Sequence, residues 1–180
     1  MKENLVIIPT YNEIENKEAI IRKVMSLSEA FDVLILDDGS PDGTGKKVKE
    51  LQNEFTQNLH LIERSGKLGL GTAYIHGFKW ALENGYQFIY EMDADFSHNP
   101  EDLVRLYKAA KIDGYDVAIG SRYIKGVNVV NWPMGRVLMS YFAGVYVRMI
   151  TRMKIMDPTG GFICYRREVL QTIPLDKITF

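Results

Sequence analysis

Asp93-Ala94-Asp95 is the part of this sequence best suited to chemistry, because of what precedes it. Phe88-Ile89-Tyr90-Glu91-Met92 is short and largely apolar and reads as a buried strand. The two carboxylates therefore stand where a strand of an α/β sheet ends, the edge at which open parallel sheets bind ligands. Two acids one residue apart at such an edge suit a hard divalent cation that also holds substrate phosphates. An acidic turn leading into a helix near Pro100 has the same spacing, and Asp-x-Asp alone does not separate the two.

Two more polar clusters follow apolar runs. Pro9-Thr10-Tyr11-Asn12-Glu13 follows Leu5-Val6-Ile7-Ile8, and Asp37-Asp38-Gly39-Ser40 follows Val33-Leu34-Ile35-Leu36. If these strands are parallel, all three clusters open on one edge of the sheet. Together they could form a nucleotide pocket, in which a carboxylate accepts from a base N–H, an aromatic ring stacks and a metal bridges a diphosphate.

The elements that must position these clusters alternate. Ile20, Ile21, Val24 and Leu27 recur at helical spacing, and Thr44 to Glu54 reads as a polar-faced helix. Leu59 to Ile62 is a third strand. Tyr74, Phe78, Ala81 and Leu82 mark a helix before the acid pair, and Leu103, Leu106, Tyr107 and Ala110 mark one after it. Val117-Ala118-Ile119 is a fifth strand. Strands alternating with helices predict right-handed crossovers and an α/β fold of three layers, a mostly parallel sheet with helices on both faces. Residues 1–180 are read as one domain.

Acids and bases nearly cancel, leaving a formal net charge of -1, so a nucleic-acid partner is not expected. The single cysteine, Cys164, can form no internal disulfide and is expected to pack as a small hydrophobe in a reducing compartment. The N-terminus lacks the basic region and cleavage site of a signal peptide, which points to the cytoplasm. Pro174 to Phe180 end without a closing structural signal, as in a domain lacking its C-terminal end.

Two phosphate motifs fail. In Gly66-Lys67-Leu68-Gly69-Leu70-Gly71 the lysine comes too early for a P-loop, and Tyr74 breaks a dinucleotide fingerprint. The loop is read as a turn admitting a helix rather than a cofactor cradle. His60, His76 and His98 show no ligand spacing, and a zinc site is not expected.

Pro9 to Glu13, Asp37-Asp38-Gly39-Ser40-Pro41-Asp42-Gly43-Thr44, Gly66 to Ala73, Met92 to Asp95, Gly120-Ser121-Arg122-Tyr123, Asp157-Pro158-Thr159-Gly160-Gly161-Phe162 and Tyr165-Arg166 occur in that order along nearly the whole chain. As a series they resemble the inverting nucleotide-sugar glycosyltransferases of family 2, and within it the polyprenol-phosphate (dolichyl-phosphate) mannosyltransferases. That resemblance implies a Rossmann-like fold of the glycosyltransferase A type. It also implies metal-dependent transfer of mannose from GDP-mannose to a polyprenyl monophosphate, inverting to a β-mannosyl phosphate. Carried over by position, it implies a donor site at Pro9, Tyr11, Glu13, Leu36, Asp38, Asp93, Ala94 and Asp95. Asp93, Asp95 and Ser97 would hold Mg2+ or Mn2+, with Ser97 standing where the family often has glutamine. Arg122, Arg136 and Ser140 would hold the acceptor phosphate, with Asp95 and Arg122 as catalytic residues. Tyr141 stands where the family often has a basic residue. Two other readings stay open: a related transferase using UDP-glucose or another nucleotide sugar, and a nucleotide-binding module or fragment without catalysis.

Pro133 to Met156 carries Leu138, Met139, Tyr141, Phe142, Val145, Tyr146, Met149 and Ile150 between Arg136, Arg148, Arg152 and Lys154. Its uncharged run from Val137 to Val147, bounded by Arg136 and Arg148, has eleven residues against the about 20 that a spanning helix takes, and the whole stretch is too polar to cross a bilayer. Its spacing fits either a helix buried on the sheet or an interfacial helix on a membrane. A lipid acceptor favours the second, with the chain peripheral at the cytoplasmic membrane face.

Overall fold

The structure is a computed structural model that describes residues 2–123 and 133–178; of Arg136 it describes the backbone but not the side chain. Six strands form one sheet in the order β3-β2-β1-β4-β6-β5. β1 (Asn4–Thr10), β2 (Asp32–Asp37), β3 (Leu59–Glu63) and β4 (Phe88–Glu91) are parallel to one another. Their register aligns Thr10 with Asp37 and Ile7 with Glu91, so the three polar clusters lie at one edge, as their sequence positions predict.

The sheet is buried on both faces because its central strands are apolar on both sides. Val6, Ile8, Val33, Ile35 and Tyr90 pack under α1 (Ile14–Met25), α2 (Thr44–Gln52) and α4 (Asp102–Lys111). Leu5, Ile7, Leu34, Leu36 and Ile89 pack under α3 (Leu70–Glu83) and α6 (Arg167–Thr172). This continuous apolar patterning is what a parallel sheet covered on both faces requires.

One strand departs from the sequence reading. β6 (Ile163–Arg166) runs antiparallel between β4 and β5 (Val117–Ile119), pairing Tyr90 and Ala118 with Cys164. It has four residues, alternates weakly and passes straight into α6 without a turn, so its periodicity gives no strand signal. Its placement buries Cys164 completely, and that burial pushes the thiol up to about 12. The cysteine is a packed hydrophobe, as expected.

The sequence left two readings open for the region around α5 (Met134–Thr151). Val137 is buried and Gly144 lies near Pro158, yet Leu138, Met139, Tyr141, Phe142, Tyr146, Met149 and Ile150 are exposed, Phe142 by 63% and Met149 by 74%. The helix is not core packing against the sheet. Among the described residues no helix is long and apolar enough to cross a membrane.

Candidate active site

The first polar cluster is built where β1 and β2 end. The Asp38 N–H donates to the Thr10 carbonyl at 3.0 Å, tying the two loops together. The Asn12 N–H donates to Ser40 Oγ at 3.0 Å, and the Ile14 N–H to Asp42 at 3.2 Å, so the second loop also starts α1. Tyr11 is left exposed on the surface between them, with the Lys67 ammonium 5.0 Å from its ring centroid. Glu13 accepts from Thr10 Oγ1 at 3.3 Å and from Lys17 Nζ at 3.4 Å. Lys17 is fully buried. Its burial lowers the ammonium's pKa, opposed by Glu13 and then by Asp37 and Asp42.

Asp38 is buried, and Arg64 Nη1 lies 2.9 Å from its Oδ1. The angle misses hydrogen-bond geometry, so both atoms are buried without a hydrogen-bonding partner among the described residues. The two form a buried ion pair that leaves Asp38 able to accept a better-aligned donor hydrogen. Arg64 Nη2 donates to Thr72 Oγ1 at 2.6 Å, and Thr72 Oγ1 in turn donates into the Gly-rich loop, with the Leu68 and Gly69 carbonyls 2.9 and 2.7 Å away. The loop read from sequence as a plain turn is thus tied to Asp38 through Arg64. Leu36 and Ala94 are buried. The Leu36 side chain lies under α3, where a Cβ on Gly77 would come within 3.0 Å of it, so any donor contact there runs through backbone.

The acid pair follows β4. Tyr74 donates to Asp93 Oδ1 at 3.4 Å, and the Ser97 N–H donates to Asp95 Oδ1 at 2.9 Å. Burial raises the Asp93 pKa, the like charge of Asp95 adds to this, and Tyr74 and Arg122 oppose it. Glu91, one strand position earlier, is pushed up to about 7 chiefly by burial, with Tyr165 3.5 Å away donating to it. Sequence reading missed Glu91 and Lys17, because only packing shows that they are buried.

Arg122 follows β5 and is buried. Its Nε and Nη2 donate to Asp157 Oδ2 and Oδ1, each at 2.7 Å, and its backbone N–H donates to Oδ2 at 3.1 Å. Gly120 is required beside it, because a Cβ there would stand 2.4 Å from the Phe162 ring. His98 stacks on that ring, centroids 5.0 Å apart, and burial and then Arg122 lower its pKa, which favours the neutral ring. Ser140 is half-buried in α5, one turn after Arg136, whose side chain lies outside the described residues. The structure therefore brings Asp93, Asp95 and Arg122 into one electrostatic neighbourhood beside the first polar cluster.

This arrangement, a buried carboxylate, an acid pair and an arginine at one sheet edge, can be compared with known proteins. The model of glycosyl transferase family 2 matches residues 5–173. The chain belongs to that family. It is 46% identical over 177 residues to the polyprenol monophosphomannose synthase of Mycolicibacterium smegmatis, covering 98% of this chain and 66% of that protein. It is 43% identical over 174 residues to the undecaprenyl-phosphate mannosyltransferase of Micrococcus luteus, covering 97% of this chain and 70% of that protein. The chain thus spans about two thirds of the length of these relatives. A mannosyltransferase of Pyrobaculum calidifontis, solved in complex with GDP-Man and Mn2+, superposes with a TM-score of 0.60 at 19% identity, over 93% of this chain and 45% of that one. At that identity the likeness is one of fold. It agrees with the glycosyltransferase A-type architecture of this family 2 domain.

Proposed function

We propose that this family 2 domain transfers mannose from GDP-mannose to a polyprenyl monophosphate, with inversion at the anomeric carbon. The reading rests above all on the identity of 46% and 43% to relatives named for mannosyl transfer to polyprenyl phosphates. The convergence of Asp38, Asp93, Asp95 and Arg122 at one edge supports it.

Asp38 accepts from the base, and Tyr11, Pro9 and Glu13 line the base and ribose. Asp93 and Asp95 fit Mg2+ or Mn2+, because they offer two carboxylates of like charge side by side at one sheet edge, the oxygen donors such a cation prefers. Ser97 would add a hydroxyl, and water and diphosphate oxygens would complete the coordination. When bound, the ion supplies positive charge to the departing diphosphate. Arg122, Arg136 and Ser140 orient the acceptor phosphate for attack from the opposite side of the sugar. A phosphate monoester with a second pKa near ~6 is already anionic at pH 7, so no side chain need remove a proton.

Thermal shift with GDP-mannose and UDP-glucose, each with Mg2+ or Mn2+, tests the donor. Stabilisation by GDP-mannose alone is expected. A larger shift with UDP-glucose indicates another nucleotide sugar, and binding without transfer to a radiolabelled lipid phosphate indicates a non-catalytic module.

α5 is assigned to the bilayer surface. Its exposed aromatic and methionine side chains lie between Arg148, Arg152 and Lys154, and Pro133 to Met156 contains no acid. Such a helix suits the headgroup region of an anionic membrane. The protein should bind anionic liposomes, more weakly as salt is raised, because part of the attraction is screened. Burying one aromatic side chain contributes about 1.5–3 kcal/mol, so Phe142→Ser with Tyr146→Ser should weaken binding about tenfold or more while donor affinity persists. If the wild-type protein ignores liposomes at low salt, α5 faces something other than lipid.

A further inference from the structure

Asp157 stands in the Asp157-Pro158-Thr159-Gly160-Gly161-Phe162 segment, to which the donor and acceptor assignments give no role. Its side chain is fully buried and Arg122 is 9% exposed. The Arg122 residue donates to the carboxylate three times, through Nε, Nη2 and the backbone N–H. Thr159 Oγ1 completes the cradle, 3.1 Å from Arg122 Nη2 and 3.4 Å from Asp157 Oδ1. The fork geometry fixes the guanidinium plane as a single contact could not. Hydrogen bonding to Asp157 is the main influence raising the Arg122 pKa, so the residue stays cationic.

The same segment reaches the acid pair. A Cβ on Gly161 would stand 3.6 Å from Asp93 Oδ2, and the Gly120 N–H donates to the Phe162 carbonyl at 2.7 Å. On its other side, Pro158 meets Gly144 of α5. Residues 157–162 therefore lie against Asp93, the arginine and the helix that carries Ser140 and Arg136. A stretch serving only to enter β6 would not need a buried carboxylate aimed at an arginine on a different loop.

We propose that Asp157 is a positioning residue for the acceptor: it orients the Arg122 guanidinium, and Thr159 holds the outer nitrogen of the fork. This rests on the reading of Arg122 as an acceptor-phosphate ligand. Because Asp157 offsets the Arg122 charge, the pair contributes direction to the phosphate more than net attraction. The effect of losing Asp157 should therefore fall on turnover and acceptor KM, with the donor side untouched.

The test uses the intact polypeptide, with GDP-mannose and a polyprenyl phosphate in detergent. Asp157→Asn keeps the volume and removes the charge. It should lower kcat/KM for the acceptor about tenfold to a hundredfold, leaving the GDP dissociation constant within about twofold. In an Arg122→Lys background, which lacks the fork, the same change should add little, since residues acting through one contact are not additive. Thr159→Val should raise acceptor KM several-fold with the donor constant unchanged, and it decides the matter if Asp157→Asn does not fold. Unchanged acceptor kinetics in Asp157→Asn or Thr159→Val, an equal loss of donor affinity, or full additivity with Arg122→Lys each overturns the proposal. Absence of transfer by the wild-type protein would instead overturn the proposed function.

Discussion

Asp95→Asn should abolish metal-dependent GDP binding and leave the fold intact. The side chain is exposed, and its one described hydrogen bond is accepted from the Ser97 N–H, which an asparagine carbonyl oxygen can accept equally. Stability should stay within about 0.5 kcal/mol of wild type, as for a surface substitution. Binding should suffer far more if, as proposed, Asp95 and Asp93 are the paired charges that draw the cation. A charged contact contributes about 1.5–3 kcal/mol, so the loss should reach about a hundredfold. Calorimetry of GDP with and without Mn2+ reads it directly. Wild-type affinity in the variant would remove Asp95 from the metal site.

Arg122→Ala should have two effects, and the structure separates them. Transfer should fall far more than donor binding, because the proposed role of Arg122 is to hold the acceptor phosphate. Folding stability should also fall, because Asp157 would be left buried and unpaired. Breaking a buried pair by removing one partner costs about 3–5 kcal/mol, or roughly 10 °C in midpoint for a domain of this size. Arg136→Ala should likewise lose transfer with donor binding kept. Unchanged acceptor KM and rate in both variants would show that neither arginine handles the acceptor. An unchanged midpoint in Arg122→Ala would show that the Asp157 pair contributes nothing to the fold.

The parallel core of the fold was legible because each of its strands is a short apolar run followed by turn residues. Leu5 to Ile8, Val33 to Leu36 and Phe88 to Met92 announce themselves by composition alone. The acid pair, Asp38 and Arg122 were legible because their residue types and order along the chain carry the family pattern. β6 was not, since Ile163 to Arg166 becomes a strand only through its pairing with β4 and β5. Helical spacing likewise left two readings of α5, because an apolar stripe looks the same whether it meets a sheet or solvent.

What the sequence determined by itself is the alternation of elements, and with it the edge at which Thr10, Asp37 and Glu91 come into register. These follow from local patterning, in which each strand must bury both faces and each turn must end it. Tertiary structure decided the rest. It set Arg64 beside Asp38, closed Asp157 on Arg122 across 35 positions of chain, and left α5 exposed. Such contacts join segments far apart in sequence, and their energy depends on burial and angle. Neither quantity exists until the sheet has brought the loops together.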